Sequence, residues 1–253
     1  MNFDEVVAHH LLDHALFPLF SAGGTHVYLT KHLFMMWLCG AGLVLLGLLA
    51  QGSSRPASLL RAALEAVALY IRDNIVEPIL GEHGRGYLHY FITLFLFILA
   101  CNLAGLVPFG ATATGNIAVT AALSTCTFFL ILTAGIREQG ILGFLKHLAP
   151  SGLPWWLIPP MFVIEALGLF IKCGALTIRL FANMIAGHIV VLGFLSLIFT
   201  FAATSSWAGL AAAPFSVGLV VFVTALEVLV CLLQAYIFTM LTAVFVGGAM
   251  HPH

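Results

Sequence analysis

Several apolar stretches of this chain are long enough to cross a lipid bilayer, and this feature constrains the fold more than any other. The longest, residues 157–203, carries only three formally charged side chains, Glu165, Lys172 and Arg179. Across the chain 62% of residues are hydrophobic and 8% are charged, a balance unlike that of soluble globular domains. Because about 18 consecutive apolar residues suffice for one spanning helix, we predict an all-α integral membrane protein.

Polar breaks between the apolar runs divide the predicted single membrane domain, residues 1–253, into seven segments. These are an N-terminal external segment (1–31), a first span (32–50), an amphipathic surface helix on the cytoplasmic side (56–81), two upright spans (87–107 and 116–136) and two long helices (157–203 and 214–246). About forty residues of helix extend roughly 60 Å, twice the hydrocarbon thickness. The two long helices must therefore fold back or lie strongly inclined, and we predict that they form a hairpin.

The basic residues predict the orientation of the chain in the membrane. Those in the connections between spans are Arg55, Arg61, Arg72 and Arg85 after the first span, and Arg137 and Lys146 after the third. The turn at residues 108–115 carries no charge. Because cytoplasmic loops are enriched in lysine and arginine, we expect an external N-terminus and a cytoplasmic C-terminus.

Composition also argues against several other classes of protein. The net charge of −1 suggests no nucleic-acid partner. Residues 1–14 are polar, unlike a cleaved signal peptide or an arginine-rich transit peptide. The five cysteines stand singly within apolar runs, as small buried hydrophobic residues do, so neither a disulfide framework nor a zinc site is expected. The histidines near Asp13 resemble a metal cluster, but we assign them to a terminal segment and predict no metal or cofactor.

A polar stripe on the first long helix is the main candidate site. Glu165, Lys172 and Arg179 are spaced by seven residues, nearly two turns, and so lie along one face of a helix. Asn183 follows one turn later. An ion-pair ladder accounts for Glu165 with Lys172 but leaves Arg179 without an acid on its own helix. A guanidinium at bilayer depth costs about 2.5–3.5 kcal/mol, and that cost marks Arg179 as functional.

The last helix carries a second pair of polar residues, Glu227 and Gln234, again seven residues apart. If the two long helices turn back at residues 204–206, His188 and Glu227 lie at comparable depth. A histidine and a glutamate in a wet cavity form a natural proton relay, because both change protonation in an accessible pH range. The alternative is a histidine that is merely buried and hydrogen-bonded in the core.

Two asparagines rank lower. Asn102 is expected to cap or pack the end of the second span. Asn116, with Thr120, Ser124 and Thr127, either lines an aqueous inlet or makes the small-residue helix contacts that are common in membranes.

Several runs of the chain resemble subunit a of the F-type ATP synthase. The most specific is Arg179-Leu180-Phe181-Ala182-Asn183-Met184-Ile185-Ala186-Gly187-His188. The others, in the order of that family, are residues 102–108, 143–146, 158–165 and 233–238. Together they extend over nearly the whole chain from the first span onward.

This resemblance implies a function. Subunit a is the stator beside a rotating ring of c subunits, which each carry one membrane carboxylate, and it is held by the b subunits of the peripheral stalk. It is not an enzyme on its own and needs no cofactor. By similarity, Arg179 stands between two offset half-channels and favours the ionised form of an opposing ring carboxylate. In the same way, the external half-channel contains Asn183, His188, Glu227 and Gln234, and the cytoplasmic exit contains Glu165, while the role of Lys172 is not specified. A bacterial inner membrane is the expected location, with an organelle inner membrane as the alternative.

Two other functional classes remain as alternatives. A stand-alone proton-coupled transporter should show an internal repeat with paired broken helices, and the chain has no second copy of the arginine run. A haem-binding electron carrier needs histidine pairs within spans, whereas most histidines here lie near the ends of the predicted spans and in loops.

Overall fold

The computed structural model describes residues 15–22, 25–107, 112–147 and 156–250. Its strands are β1 (Ala15–Ala22) and β2 (Thr25–Thr30); its α-helices are α1 (Lys31–Leu49), α2 (Arg55–Ile71), α3 (Glu77–Leu80), α4 (Leu88–Gly105), α5 (Ile117–His147), α6 (Ile158–Thr204) and α7 (Ser206–Met250). The histidines before residue 15 and the C-terminal His251 and His253 lie outside the described residues.

The helical membrane architecture is confirmed. Five helices among the described residues are long and apolar enough to cross a membrane, and the two longest have 47 and 45 residues. Before α1, strands β1 and β2 pair as an antiparallel hairpin in which Ala22 lies opposite Thr25. The predicted all-α fold includes no strand in this segment. The β-branched and aromatic residues of β2, such as Val27 and Tyr28, suit extended backbone.

The predicted surface helix is interrupted. Helix α2 begins after Ser54 and has a proline in its first turn, where proline is common in α-helices. A five-residue π-helical turn, Arg72–Val76, then connects it to α3. Ile71 and Val76 are separated by one such turn and both are buried, because the wider turn returns the chain to the same face. Gly81, at φ 63°, ends α3.

Helix α5 continues past residue 136, where the sequence analysis ended the span. The helix kinks at Gly140, whose backbone has φ 70° and ψ 167°. Just before the kink, the side-chain amide of Gln139 donates a 2.7 Å hydrogen bond to the carbonyl of Ala249. After it, the ring of Phe144 packs against Gly135. The kink thus lets the end of α5 fold onto the same packing surface as the end of α7.

We expect Gly140→Ala to destabilise the fold by about 1–3 kcal/mol, because this backbone region is almost closed to residues with a Cβ. Space is not the cause, since no atom lies within 4 Å of a Cβ built at Gly140. Gly168→Ala is the matched control: this helical glycine has equally open surroundings, and alanine favours a helix. Thermal unfolding of the detergent-purified protein measures both. Equal midpoints for the two variants would contradict the strain assigned to the kink.

The turn between the two long helices is tighter than predicted. Ser205 alone separates α6 from α7, and its hydroxyl accepts a 3.3 Å hydrogen bond from the amide of Ala208. A Cβ at Gly209 would lie 2.6 Å from the Cβ of Ala202, so the two helix ends approach closely. Helix α7 therefore starts well before Pro214, which lies inside it. Membrane helices tolerate such a proline because their surroundings satisfy the freed carbonyl.

The chain divides into two compact units. The first comprises Met1–Ala41, Ile98–Val119 and Leu180–Gln234, and the second comprises Gly42–Phe97, Thr120–Arg179 and Ala235–His253. Each has its own buried apolar core: Ile98, Leu180 and Met184 in the first unit, and Phe91 and Phe238 in the second.

Candidate functional site

The polar stripe on α6 begins with an ion pair. Lys172 Nζ lies 3.8 Å from Glu165 Oε1, and both side chains are about two-fifths exposed. The ammonium also lies 5.8 Å from the ring centre of Phe245, within range of a cation–π contact. The spacing of seven residues thus brings Glu165 and Lys172 together, as one helix face requires.

Arg179, two turns further on, is different. Its side chain is exposed, whereas Leu176 and Leu180 on either side of it are buried in the helix packing. In the part of the chain that the structure describes, Arg179 takes part in no ion pair. The exposed side chains near it on α6 include Ile171 and Ile178. The helix therefore presents a permanent cation on an apolar outer face.

A pocket of about 200 Å³ in the first unit collects three of the predicted residues, Asn183, His188 and Glu227. Helix α6 supplies the first two and α7 supplies the glutamate. The rest of the lining is mostly apolar and includes Leu106, Met184, Val223 and Val230. Because Ser205 alone separates α6 from α7, the chain turns back and residues far apart in sequence reach one pocket.

The carboxylate of Glu227 is packed against the backbone of α6. A Cβ at Gly187 would overlap the carboxylate oxygen Oε1, so only glycine leaves room for this approach. Oε1 is buried, and no group among the described residues hydrogen-bonds to it. A buried carboxylate oxygen without a partner is costly in a structural role. It is therefore available to bind a proton or a mobile donor.

His188 does not pair directly with Glu227. Within the described residues neither a hydrogen bond nor an ion pair joins the two side chains, although they line one pocket. Instead, His188 Nε2 lies 2.8 Å from the hydroxyl of Thr112. Thr112 belongs to the short connection between α4 and α5 and was not selected by the sequence analysis. The only sequence signal was a small polar run, Thr112 to Thr114, in a turn without charge.

The remaining candidates occupy other positions. Gln234 is 5% exposed, and its Nε2 has no hydrogen-bond partner in the described parts of the chain. It does not line the pocket. Asn102 is fully buried and accepts a 2.8 Å hydrogen bond from the hydroxyl of Thr114, so it packs the end of α4. Asn116 caps α5, because its side-chain oxygen accepts a 2.9 Å hydrogen bond from the amide of Ala118.

The hydroxyl residues predicted as a possible inlet are buried between helices of the second unit. Ser124 and Thr177 share a 2.5 Å hydrogen bond, and Thr177 also donates to the carbonyl of Cys173. Thr120 and Thr127 are fully buried on the same face of α5. Such a seam of hydroxyl groups is typical of helix contacts in membranes, which favours the second of the two interpretations.

Known proteins give an independent comparison. Residues 33–247 match the family described as ATP synthase A chain. The chain is 41% identical over 263 residues to ATP synthase subunit a of Pelodictyon phaeoclathratiforme, an alignment that covers 97% of this chain and 75% of the relative. It is 45% identical over 235 residues to ATP synthase subunit a of Myxococcus xanthus, with 89% and 75% covered.

The relative from Chloroherpeton thalassium, also named ATP synthase subunit a, is 42% identical over 240 residues, covering 92% of this chain and 70% of its own length. The family match extends from the first membrane-capable helix to the last. The multi-pass helical architecture agrees with them. We conclude that this chain is a membrane protein of the ATP synthase A chain family, the family of subunit a.

Proposed function

We propose that this chain is the proton-conducting stator of an F-type ATP synthase and provides two offset half-channels to a ring of c subunits. The observation that carries the proposal is Arg179. Its charge is exposed on an apolar helix face and has no ion-pair partner among the described residues. Placing such a charge in a membrane helix costs about 2.5–3.5 kcal/mol of insertion free energy. The helix therefore needs an acidic partner from another chain. A carboxylate on a neighbouring ring supplies one that can arrive and leave.

The electrostatics of Arg179 suit a stator. A fixed cation favours the ionised form of an opposing carboxylate and so promotes proton release to the exit side. It also repels a proton that would pass directly between the half-channels. One elementary charge that crosses a membrane potential of 100 mV releases about 2.3 kcal/mol of free energy. This free energy biases the direction of rotation.

We assign the pocket that contains Asn183, His188 and Glu227 to the external half-channel. Its support is the unpartnered Oε1 of Glu227, the nearby imidazole and the open volume of about 200 Å³. Gln234, buried beyond this pocket, belongs to the path from Glu227 toward the ring. Glu165 is assigned to the cytoplasmic exit, and its ion pair with Lys172 gives the lysine a supporting role there.

The proposed setting follows from the same assignment. The arginine-rich segment after α1 faces the cytoplasm, the N-terminus lies outside, and the membrane is a bacterial inner membrane. The partners are the c-ring and the b subunits of the peripheral stalk. The exposed apolar side chains of α1, among them Trp37, Val44 and Leu48, are suited to lipid or to an apolar partner helix.

Purification under mild detergent distinguishes this proposal from a stand-alone transporter. We expect the chain to co-purify with small membrane subunits that each carry one intramembrane acid, and the reconstituted complex to pump protons on addition of ATP. The chain reconstituted without these partners should conduct no protons above the liposome background. Proton-coupled transport by the isolated chain would refute the stator function.

Gly187→Ala tests the close approach of α6 to Glu227. The added methyl group overlaps the carboxylate, so we expect Glu227 to be displaced and ATP-driven pumping to fall several-fold in an assembled complex. Gly193→Ala, on the same helix with no atom within 4 Å of the new Cβ, is the control and should pump normally. Quenching of a pH-sensitive dye in vesicles measures both. Equal rates in the two variants would show that the position of Glu227 does not limit the flux.

A further inference from the structure

Thr112 makes the one side-chain hydrogen bond to His188 found among the described residues, a 2.8 Å contact between its hydroxyl and Nε2. The two residues are 76 positions apart in the sequence. Thr112 is only 7% exposed, so few alternative partners can reach its hydroxyl. The contact therefore defines the direction in which the Nε2 edge of the imidazole points.

Residues 112–115 are held in place at several points. The carbonyl of Thr112 accepts a 2.9 Å hydrogen bond from the amide of Gly115. The Thr112 side chain packs against Gly105 at the end of α4, where a Cβ would lie 2.6 Å from the hydroxyl oxygen. Two residues on, Thr114 bonds to the buried Asn102. These contacts prevent the hydroxyl from following the ring if the ring turns.

A hydroxyl suits a partner that changes protonation. It carries one donor and can accept as well, so it donates to a bare Nε2 and accepts from a protonated one. An amide nitrogen or a carbonyl can do only one of these. The other groups facing the pocket from α7 are the carboxylate of Glu227 and the thiol of Cys231, with Asn183 from α6. None of them makes a hydrogen bond to His188 among the described residues.

We propose that Thr112 is a positioning residue for His188, holding the imidazole at Nε2 through both protonation states so that its remaining edge faces the pocket. This inference rests on the proposed role of His188 in proton uptake. Thr112 itself binds no substrate and acts only through the histidine. Without the hydroxyl, the imidazole loses its side-chain partner at Nε2 and keeps only the backbone of Met184 and Gly105 as partners, so its protonation responds differently to the external pH.

The experiment uses the complete complex in vesicles and measures ATP-driven proton pumping and passive proton flux against pH. Thr112→Val keeps the shape of the side chain and removes the hydroxyl, whereas Thr112→Ser keeps the hydroxyl. We expect valine to shift the midpoint of the pH profile by about half a unit or more, because an imidazole without this anchor reorients and its neutral and charged forms then differ in their surroundings. Serine should restore the parent profile. Thr133→Val is the matched control, because its hydroxyl bonds locally to Leu130 on an exposed face, and its profile should equal the parent's.

Combination with His188→Ala separates positioning from packing. If Thr112 acts through the histidine, Thr112→Val causes no further shift in the His188→Ala background. A full additional shift there would overturn the inference, as would a parent-like profile in Thr112→Val alone when His188→Ala changes it. If His188→Ala itself leaves the profile unchanged, the relay in the proposed function fails first. Should the valine variant not assemble, Thr112→Ala against Thr112→Ser gives the same comparison, since they differ only in the hydroxyl.

Discussion

Arg179→Ala is expected to reduce ATP-driven proton pumping to background while the complex still assembles. The side chain is exposed and lies outside the buried core of its helix, so its removal costs little folding energy. Its removal also deletes the fixed cation that favours release of the ring proton. The barrier between the half-channels disappears with it, so passive proton flux through the membrane sector should persist or rise. Dye quenching in inverted vesicles, with and without ATP, measures both quantities.

Two matched variants sharpen this test. Arg179→Lys keeps a positive charge but loses the planar, always-charged guanidinium, so we expect strongly impaired pumping with the passive leak still suppressed. Lys172→Ala removes a cation seven residues away that already has an acid partner, and its effect should be mild. Normal pumping by Arg179→Ala in an assembled complex would rule out the arginine as the element that couples proton flow to rotation.

Glu227→Gln has the second largest expected effect. Glutamine keeps the size of the side chain but cannot take up a proton in place of the carboxylate, whose buried Oε1 has no hydrogen-bond partner among the described residues. Removing one positioned acid–base group slows proton transfer about 100-fold or more when that step limits the rate. We expect pumping to fall by about tenfold at least, since other steps share control, and its dependence on external pH to flatten.

Glu227→Asp is the control, because it retains an ionisable carboxyl group and should recover part of the rate. His188→Ala should slow uptake less than Glu227→Gln but should change the pH profile. Initial rates of pumping across a series of external pH values compare the three variants. A flux in Glu227→Gln that follows the parent curve at every pH would remove the glutamate from the proton path.

The fold could be predicted largely from the sequence because membrane helices depend on local properties. Length and apolarity identify a spanning helix without knowledge of its neighbours. Three of the five membrane-capable helices both begin and end within a few residues of the predicted limits. The exceptions have specific causes: α5 continues past residue 136 through the kink at Gly140, and α7 starts before Pro214 because Ser205 suffices for the turn. The N-terminal hairpin was missed, since short strands depend on pairing between segments.

The sequence by itself determined which side chains share a helix face, and it identified the family through the run that begins at Arg179. Helical periodicity makes such statements independent of packing. Only the tertiary structure decided which of these residues meet. The contact of Thr112 with His188 joins positions 76 apart, and the bond from Gln139 to Ala249 joins positions 110 apart. The approach of Glu227 to Gly187 likewise requires two helices to pack. No local pattern encodes these distances, because they depend on how antiparallel helices align after the chain has turned back on itself.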